Sequence, residues 1–223
     1  MKGTVINDFN TDLSSETVIR RKENFVNIYN KMFEELVSRD ASSIVSRANC
    51  RLIDNKRIKL SFFKKEIIVD LNKKKIYFLK SRRVDKEEPV DTYSSSLVLH
   101  YLLNADGTPP AASWISYREL PGGLFYWQTI PKVLEPLIKK YENNGEGFLK
   151  KTFEIGGEKY AQFKFGSIIY PFKMFPVLMI FDEKSTEFEA NIRVLFDGSA
   201  HHYLKTDVVK LIIIYIVKKL CNQ

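Results

Sequence analysis

The chain has 223 residues, enough for one large domain or one domain with a helical appendage. With 35 Lys and Arg against 27 Asp and Glu it carries a formal net charge of +8, and its 44% hydrophobic content, rich in Phe and Tyr, excludes a disordered chain. Its two Cys, Cys50 and Cys221, are too few and too far apart for a disulfide framework or a zinc site, which leaves reduced thiols and a cytoplasmic setting.

The opening MKGTVINDFNTDLSSET lacks the apolar core of a secretory signal. Val18, Phe25, Tyr29, Met32, Phe33, Leu36 and Val37 then recur at three-to-four spacing and predict an amphipathic helix over 16–39, capped by Ser14 or Ser15. It reads as a helical lead-in, residues 1–40, to an α+β domain over 41–223. Asp40 opens a second short helix, ASSIVSRAN. From Arg51 the period drops to two. Ile58, Leu60 and Phe62 alternate with charged residues, followed by strands at 66–71 and 75–79, an antiparallel meander with one apolar and one Lys-lined face.

Residues 81–90 are charged, contain Pro89 and read as a loop. Asp91 caps a helix to about Asn104 with Leu97, Val98, Tyr101 and Leu102 inward. The stretch ADGTPPAA over 105–112 is a turn-rich loop. Trp114–Tyr117 and Phe125–Trp127 are expected as short extended pieces around Pro121-Gly122-Gly123. Pro131 suits the first turn of a helix reaching Tyr141. Gly145 and Gly147 punctuate before a short helix over 148–155. Strands follow at 160–165, at 177–181 flanked by Pro171 and Pro176, and at 191–196. Thr206 caps a final helix over 207–220. Its apolar run, Val208 to Val217, is about half the roughly twenty residues a membrane span needs, so no membrane partner is expected. The fold class is α+β, a single domain with an antiparallel sheet and packed helices.

Three strings, HYLLNADGTP, WISYRELPGG and VLFDGSAHHYL, resemble a family of bacterial and archaeal proteins, the domain of unknown function three-seven-eight-six. The likeness covers roughly residues 36 to 220. It implies a shared fold. Some relatives look fused to a domain with an iron–sulfur cluster, which hints at redox-linked company. Two Cys cannot ligate such a cluster here. The resemblance assigns no catalytic residues and no cofactor.

Chemistry is expected at three turns. In Arg118-Glu119-Leu120-Pro121-Gly122-Gly123, two adjacent glycines can expose consecutive backbone N–H groups to an anion, with Arg118 adding a bidentate contact. The competing reading is a tight turn in which Arg118 and Glu119 pair locally. Asp197-Gly198-Ser199-Ala200-His201-His202 ends a strand, a common place for site residues. Asp197, His201 and His202 are candidate metal ligands there, or Asp197 caps backbone amides and the imidazoles face solvent. No HExxH-like spacing supports a metal, and Ser199 lacks a GxSxG frame. Asp106-Gly107-Thr108-Pro109 is either a rigid turn or a second wall of a cleft opposite Gly122. Trp114, Tyr117, Phe125, Tyr126 and Trp127 surround these loops as core or as a stacking surface.

The expected function is a module binding a small anionic ligand or cofactor through Asp106, Arg118, Glu119, Gly122, Gly123, Asp197 and His201. The alternatives are an enzyme using Asp197 or Glu119 as acid or base, with or without a metal at His201 or His202, and a docking partner of an iron–sulfur redox protein through helix 16–39. The densest basic stretch, Lys73–Lys75 with Lys80, Arg82 and Arg83, is broken by apolar residues and reads as solvated strand ends, so nucleic acid is not the expected partner.

Overall fold

The computed structural model describes residues 15–79 and 87–221. The cap at Ser14 or Ser15, the side chains of Val18 and Phe25, and Lys80, Arg82 and Arg83 lie outside what is described. Helix α1 (Ser15–Ser38) packs on a later helix through Met32, Phe33 and Leu36, which are buried, whereas Val37 is exposed. Asp40 caps α2 (Ala41–Arg47), its carboxylate accepting from Ser43 N–H at 2.7 Å. Strands β1 (Arg51–Asp54), β2 (Arg57–Phe62), β3 (Lys65–Asp70), β4 (Lys75–Phe78) and β5 (Glu88–Pro89) pair in sequence order, all antiparallel. This is the meander expected from the alternation, with Ile58, Leu60 and Phe62 buried.

Asp91 caps α3 (Thr92–Asn104), accepting from both the amide and the hydroxyl of Ser94. Leu97, Val98, Tyr101 and Leu102 face inward as expected, but Leu99 and Ser94–Ser96 are buried as well. The helix is therefore covered on most sides. Its three serines satisfy their hydroxyls locally, Ser95 on Val90 C=O and Ser96 on Tyr93 C=O.

The second sheet is built from β6 (Trp114–Ser116), β7 (Glu158–Lys159), β8 (Gly166–Phe172), β9 (Phe175–Asp182) and β10 (Asn191–Asp197), in the order β6-β10-β9-β8-β7. Helices α4 (Ile130–Tyr141) and α5 (Gly145–Glu154) pack with it, and α6 (Thr206–Cys221) packs against α3, α4 and α5. Val208, Val209, Ile212, Ile213, Ile216, Val217 and Leu220 bury the inner face of α6. Among the described residues no helix is long and apolar enough to cross a membrane. Both cysteines are free thiols, half-buried.

Three local expectations are corrected. Residues 123–129 form successive 3-10 turns rather than extended pieces. Gly122 takes the left-handed conformation, φ 74°, and chains the segment into turn after turn. Helix α5 starts at Gly145, three residues early, because Asn144 accepts from Gly147 N–H at 2.8 Å. A side chain at 145 would fall 2.4 Å from the Phe165 ring. The strand lies at 166–172, not 160–165. Pro171 sits where the β8–β9 register slips between Ile169 and Phe172, a place where a missing N–H breaks no ladder bond.

Burial along α1 yields a direct test. Phe33→Ala and Leu36→Ala are each expected to cost about 3 kcal/mol of unfolding free energy, and Val37→Ala under about 0.5 kcal/mol, read by urea denaturation.

Candidate functional site

Strand β10 and loop 105–113 meet at Asp197. Asp197 is 3% exposed, and its carboxylate accepts four hydrogen bonds. Oδ1 takes Ala111 N–H at 2.7 Å, Ser199 N–H at 2.9 Å and Ser199 Oγ at 2.6 Å; Oδ2 takes Ala112 N–H at 2.9 Å. Burial works against the charge, but these donors outweigh it and hold the carboxyl below the usual range. The group is a clamp that fastens loop 105–113 to the end of β10. Its acceptor capacity is spent on the chain itself. Ser199, whose hydroxyl is also committed to Asp197, is equally occupied.

The same clamp brings a second pair together. His202 Nδ1 lies 2.6 Å from Asp106 Oδ2 and 3.2 Å from Thr108 Oγ1, and Thr108 N–H donates to Asp106 Oδ1 at 2.9 Å. Partial burial pushes the Asp106 carboxyl up, but the bonds from His202 and Thr108 prevail and hold it at about 2. Tyr203 Oη donates to Thr108 C=O, closing the loop over the turn. Of the two adjacent histidines the fold engages His202, whereas His201 is exposed beside it, with ring centroids 4.1 Å apart. Sequence reasoning placed Asp106, Asp197 and His201 among the ligand-binding residues and named His202 only as an alternative metal ligand. The spacing of two neighbouring imidazoles says only that they diverge, not which one meets Asp106.

The Arg118–Gly123 loop stands apart. Loops 105–113 and 117–123 leave opposite ends of β6, so about 10 Å of extended strand lies between them. Glu119 accepts from Ser116 N–H and Ser116 Oγ, both at 2.7 Å, and those bonds lower its carboxyl pKa. Arg118 lies over the Trp127 ring, 5.4 Å from its centroid. Gly123 N–H donates to Leu120 C=O at 2.7 Å, so it does not face outward toward an anion. A side chain at 123 would fall 2.0 Å from Tyr117 C=O, which is why only glycine fits there. The tight turn with local pairing is what these residues form.

A cleft of about 260 Å³ lies elsewhere, between the end of α2, strands β1 and β2 and the β8–β9 turn. Arg51, Lys59 and Lys173 line it with Asn49, Cys50 and Glu66. Asn49 reverses the chain at φ 50°. Its side chain reaches the β8–β9 turn, accepting from Lys173 Nζ at 3.1 Å and meeting Met174 Sδ at 3.1 Å. Tyr101 Oη donates to Ala48 C=O at 2.7 Å and holds the back of the cleft. Arg51 sits directly opposite Lys59 across β1 and β2. Lys59 pairs with Glu66 at 2.6 Å, whereas Arg51 has no ion-pair partner among the described residues. Burial pushes the Cys50 thiol up to about 12 despite nearby Lys173, so it stays protonated and unreactive. The cleft was not read from the sequence. Arg51 and Lys59 looked like the solvated face of a meander, and nothing local tied them to Lys173.

Residues 40–219 match the family described as Domain of unknown function (DUF3786). The chain belongs to this family. No curated protein and no solved structure matches it. The DUF3786 match contains the Asp197 clamp, the Asp106–His202 pair, the Arg118 loop and the cleft, and leaves α1 outside. Among the described residues of this DUF3786 chain, no three His, Cys, Asp or Glu side chains gather as a metal site.

The two aspartates separate by burial. Asp197→Asn turns an NH₂ toward amide donors and is expected to cost about 2–4 kcal/mol, whereas Asp106→Asn, at a half-exposed pair, costs under about 1 kcal/mol. Both carboxyls are depressed below the unfolded value of about 3.9. Their contribution is therefore present above that pH and lost as pH falls through the folded values. Denaturation between neutral and acidic pH should show wild type losing stability below pH 4, with Asp197→Asn losing less.

Proposed function

We propose that this chain is a binding module for a small anionic ligand and that the ligand sits in the Arg51–Lys59–Lys173 cleft. One observation carries the reading. Two cations stand directly opposite each other on paired strands, a third comes from the other sheet, and one carboxylate, already paired, opposes them. Like charges facing each other across strands are destabilising unless something offsets them. A phosphate or carboxylate does so, and the guanidinium of Arg51 suits it by bidentate hydrogen bonding. The volume is at the small end for ligand sites, which favours a compact ion over a dinucleotide.

A second reading is acid–base chemistry at His202. Asp106 holds Nδ1, which leaves Nε2 as the ring atom for proton exchange. The carboxylates expected for that role, Asp197 and Glu119, are tied to their own backbone. Neither Asp106 nor His202 lines the cleft, so the two readings are tested apart.

Titration with inorganic phosphate and with succinate, followed by calorimetry, tests the proposal. Arg51→Ala and Lys173→Ala are each expected to weaken binding about tenfold or more, the loss of one charge-assisted contact. His202→Gln and Arg118→Ala should leave it unchanged. No heat with either anion, or loss of binding in Arg118→Ala alone, overturns the cleft as the site.

A further inference from the structure

Leu124, Phe125, Tyr126 and Trp127 are 56, 83, 55 and 36% exposed, four consecutive large apolar side chains at the surface. Other exposed apolar side chains, such as Phe188, stand alone or are spread along α1, which is ordinary for a surface. The tip is stiff. Gly123 N–H bonds to Leu120 C=O at 2.7 Å, Tyr126 N–H to Gly123 C=O at 3.0 Å, and Thr129 N–H to Tyr126 C=O at 2.9 Å. Its base is fastened to α6, where Thr206 Oγ donates to Pro121 C=O at 2.6 Å. A rigid segment that keeps four such residues in water is preorganised to bury them against something.

We propose that the Leu124–Trp127 tip docks on an anionic lipid surface. The exposure is graded. Phe125 is the most exposed, Leu124 and Tyr126 are about half-exposed and Trp127 is the least exposed. That order suits an interface, because Phe and Leu enter the acyl boundary while Tyr and Trp rest at headgroup level. Charge points the same way. Arg118 lies over Trp127, and Lys132 is exposed on the next turn of chain. Glu135 is paired with Lys139 at 2.5 Å, and Glu119, bonded only to Ser116, keeps its charge, so Arg118, Lys132 and Lys139 outnumber the two nearby carboxylates. A net charge of +8 disfavours a second copy of this chain as the occupant. Docking of the tip departs from the expectation of no membrane partner, and it needs no membrane-crossing helix, of which the described residues hold none. This docking is independent of the anion cleft.

The test uses the full chain with phosphatidylcholine vesicles, with and without phosphatidylglycerol, at low salt. Trp114→Phe leaves Trp127 as the sole tryptophan. Co-sedimentation with the anionic vesicles and a blue shift of Trp127 emission are expected. Phe125→Ser should weaken partitioning roughly tenfold without moving the melting temperature, since its ring contacts mostly water. Arg118→Glu should weaken it further and salt should reverse it. No sedimentation with anionic vesicles overturns the proposal. So does sedimentation that Phe125→Ser leaves intact without a blue shift, which marks adsorption by charge alone. Self-association abolished by Phe125→Ser, with no vesicle binding, assigns the tip to a protein surface instead.

Discussion

Tyr101 is the point on which the rest of the architecture leans. Its ring, 1% exposed, stacks on Phe172 at 4.2 Å between centroids and 5° between planes, and on Tyr203 at 5.8 Å. Phe172 in turn meets Phe62 at 5.4 Å. One side chain of α3 thus joins a strand from each sheet and the turn after β10. Burial raises the Tyr101 pKa, so the hydroxyl stays a donor, and its bond to Ala48 C=O fixes the chain where α2 gives way to β1. The cleft opens at that junction. Shifting Tyr101 would move Asn49 and Arg51 on one side and Tyr203, with its grip on Thr108, on the other.

The acidic residues show how hydrogen-bond saturation, rather than residue type, sets a role. Asp197 carries four donors and is buried, so it holds structure together. Glu119 closes a short turn on Ser116. Asp106 spends one oxygen on a backbone amide and gives the other to an imidazole, which leaves chemistry within reach of solvent. Glu66 offsets Lys59 and leaves Arg51 to face the cleft without a counter-charge among the described residues.

The basic surplus is spread in the same uneven way. Lys73 pairs with Glu87 at 2.7 Å and Lys74 lies 3.6 Å from Glu34, so part of the densest basic run in the sequence is neutralised locally. Arg51, Lys59 and Lys173 are not neighbours in sequence and are brought to one cleft by the fold. Of these, Lys59 is offset by Glu66, whereas Arg51 has no ion-pair partner among the described residues.

Much of the fold was readable residue by residue. The period of three to four in α1, the alternation of Ile58, Leu60 and Phe62, and the caps Asp40 and Asp91 are local properties, and each determined its element. The class, α+β with an antiparallel meander, follows from those periods alone. Where local rules compete, sequence was a poorer guide. Pro171 looked like a strand boundary, yet a register slip accommodates it, and that slip depends on β9. Of the candidate site, the approach of loop 105–113 to the turn after β10 was anticipated. A turn capped by Asp197 was one reading of the sequence, but the two amides that tie the loops together, Ala111 and Ala112, reach its carboxylate only when segments about 85 residues apart meet. The cleft was invisible for the same reason. Arg51 and Lys59 become neighbours through strand register, and Lys173 joins them through the contact of two sheets. Sequence by itself determined which segments fold and which faces they bury, since propensity and periodicity act over a few residues. Tertiary structure alone decided which charges are left without a partner, because that depends on what long-range packing brings alongside.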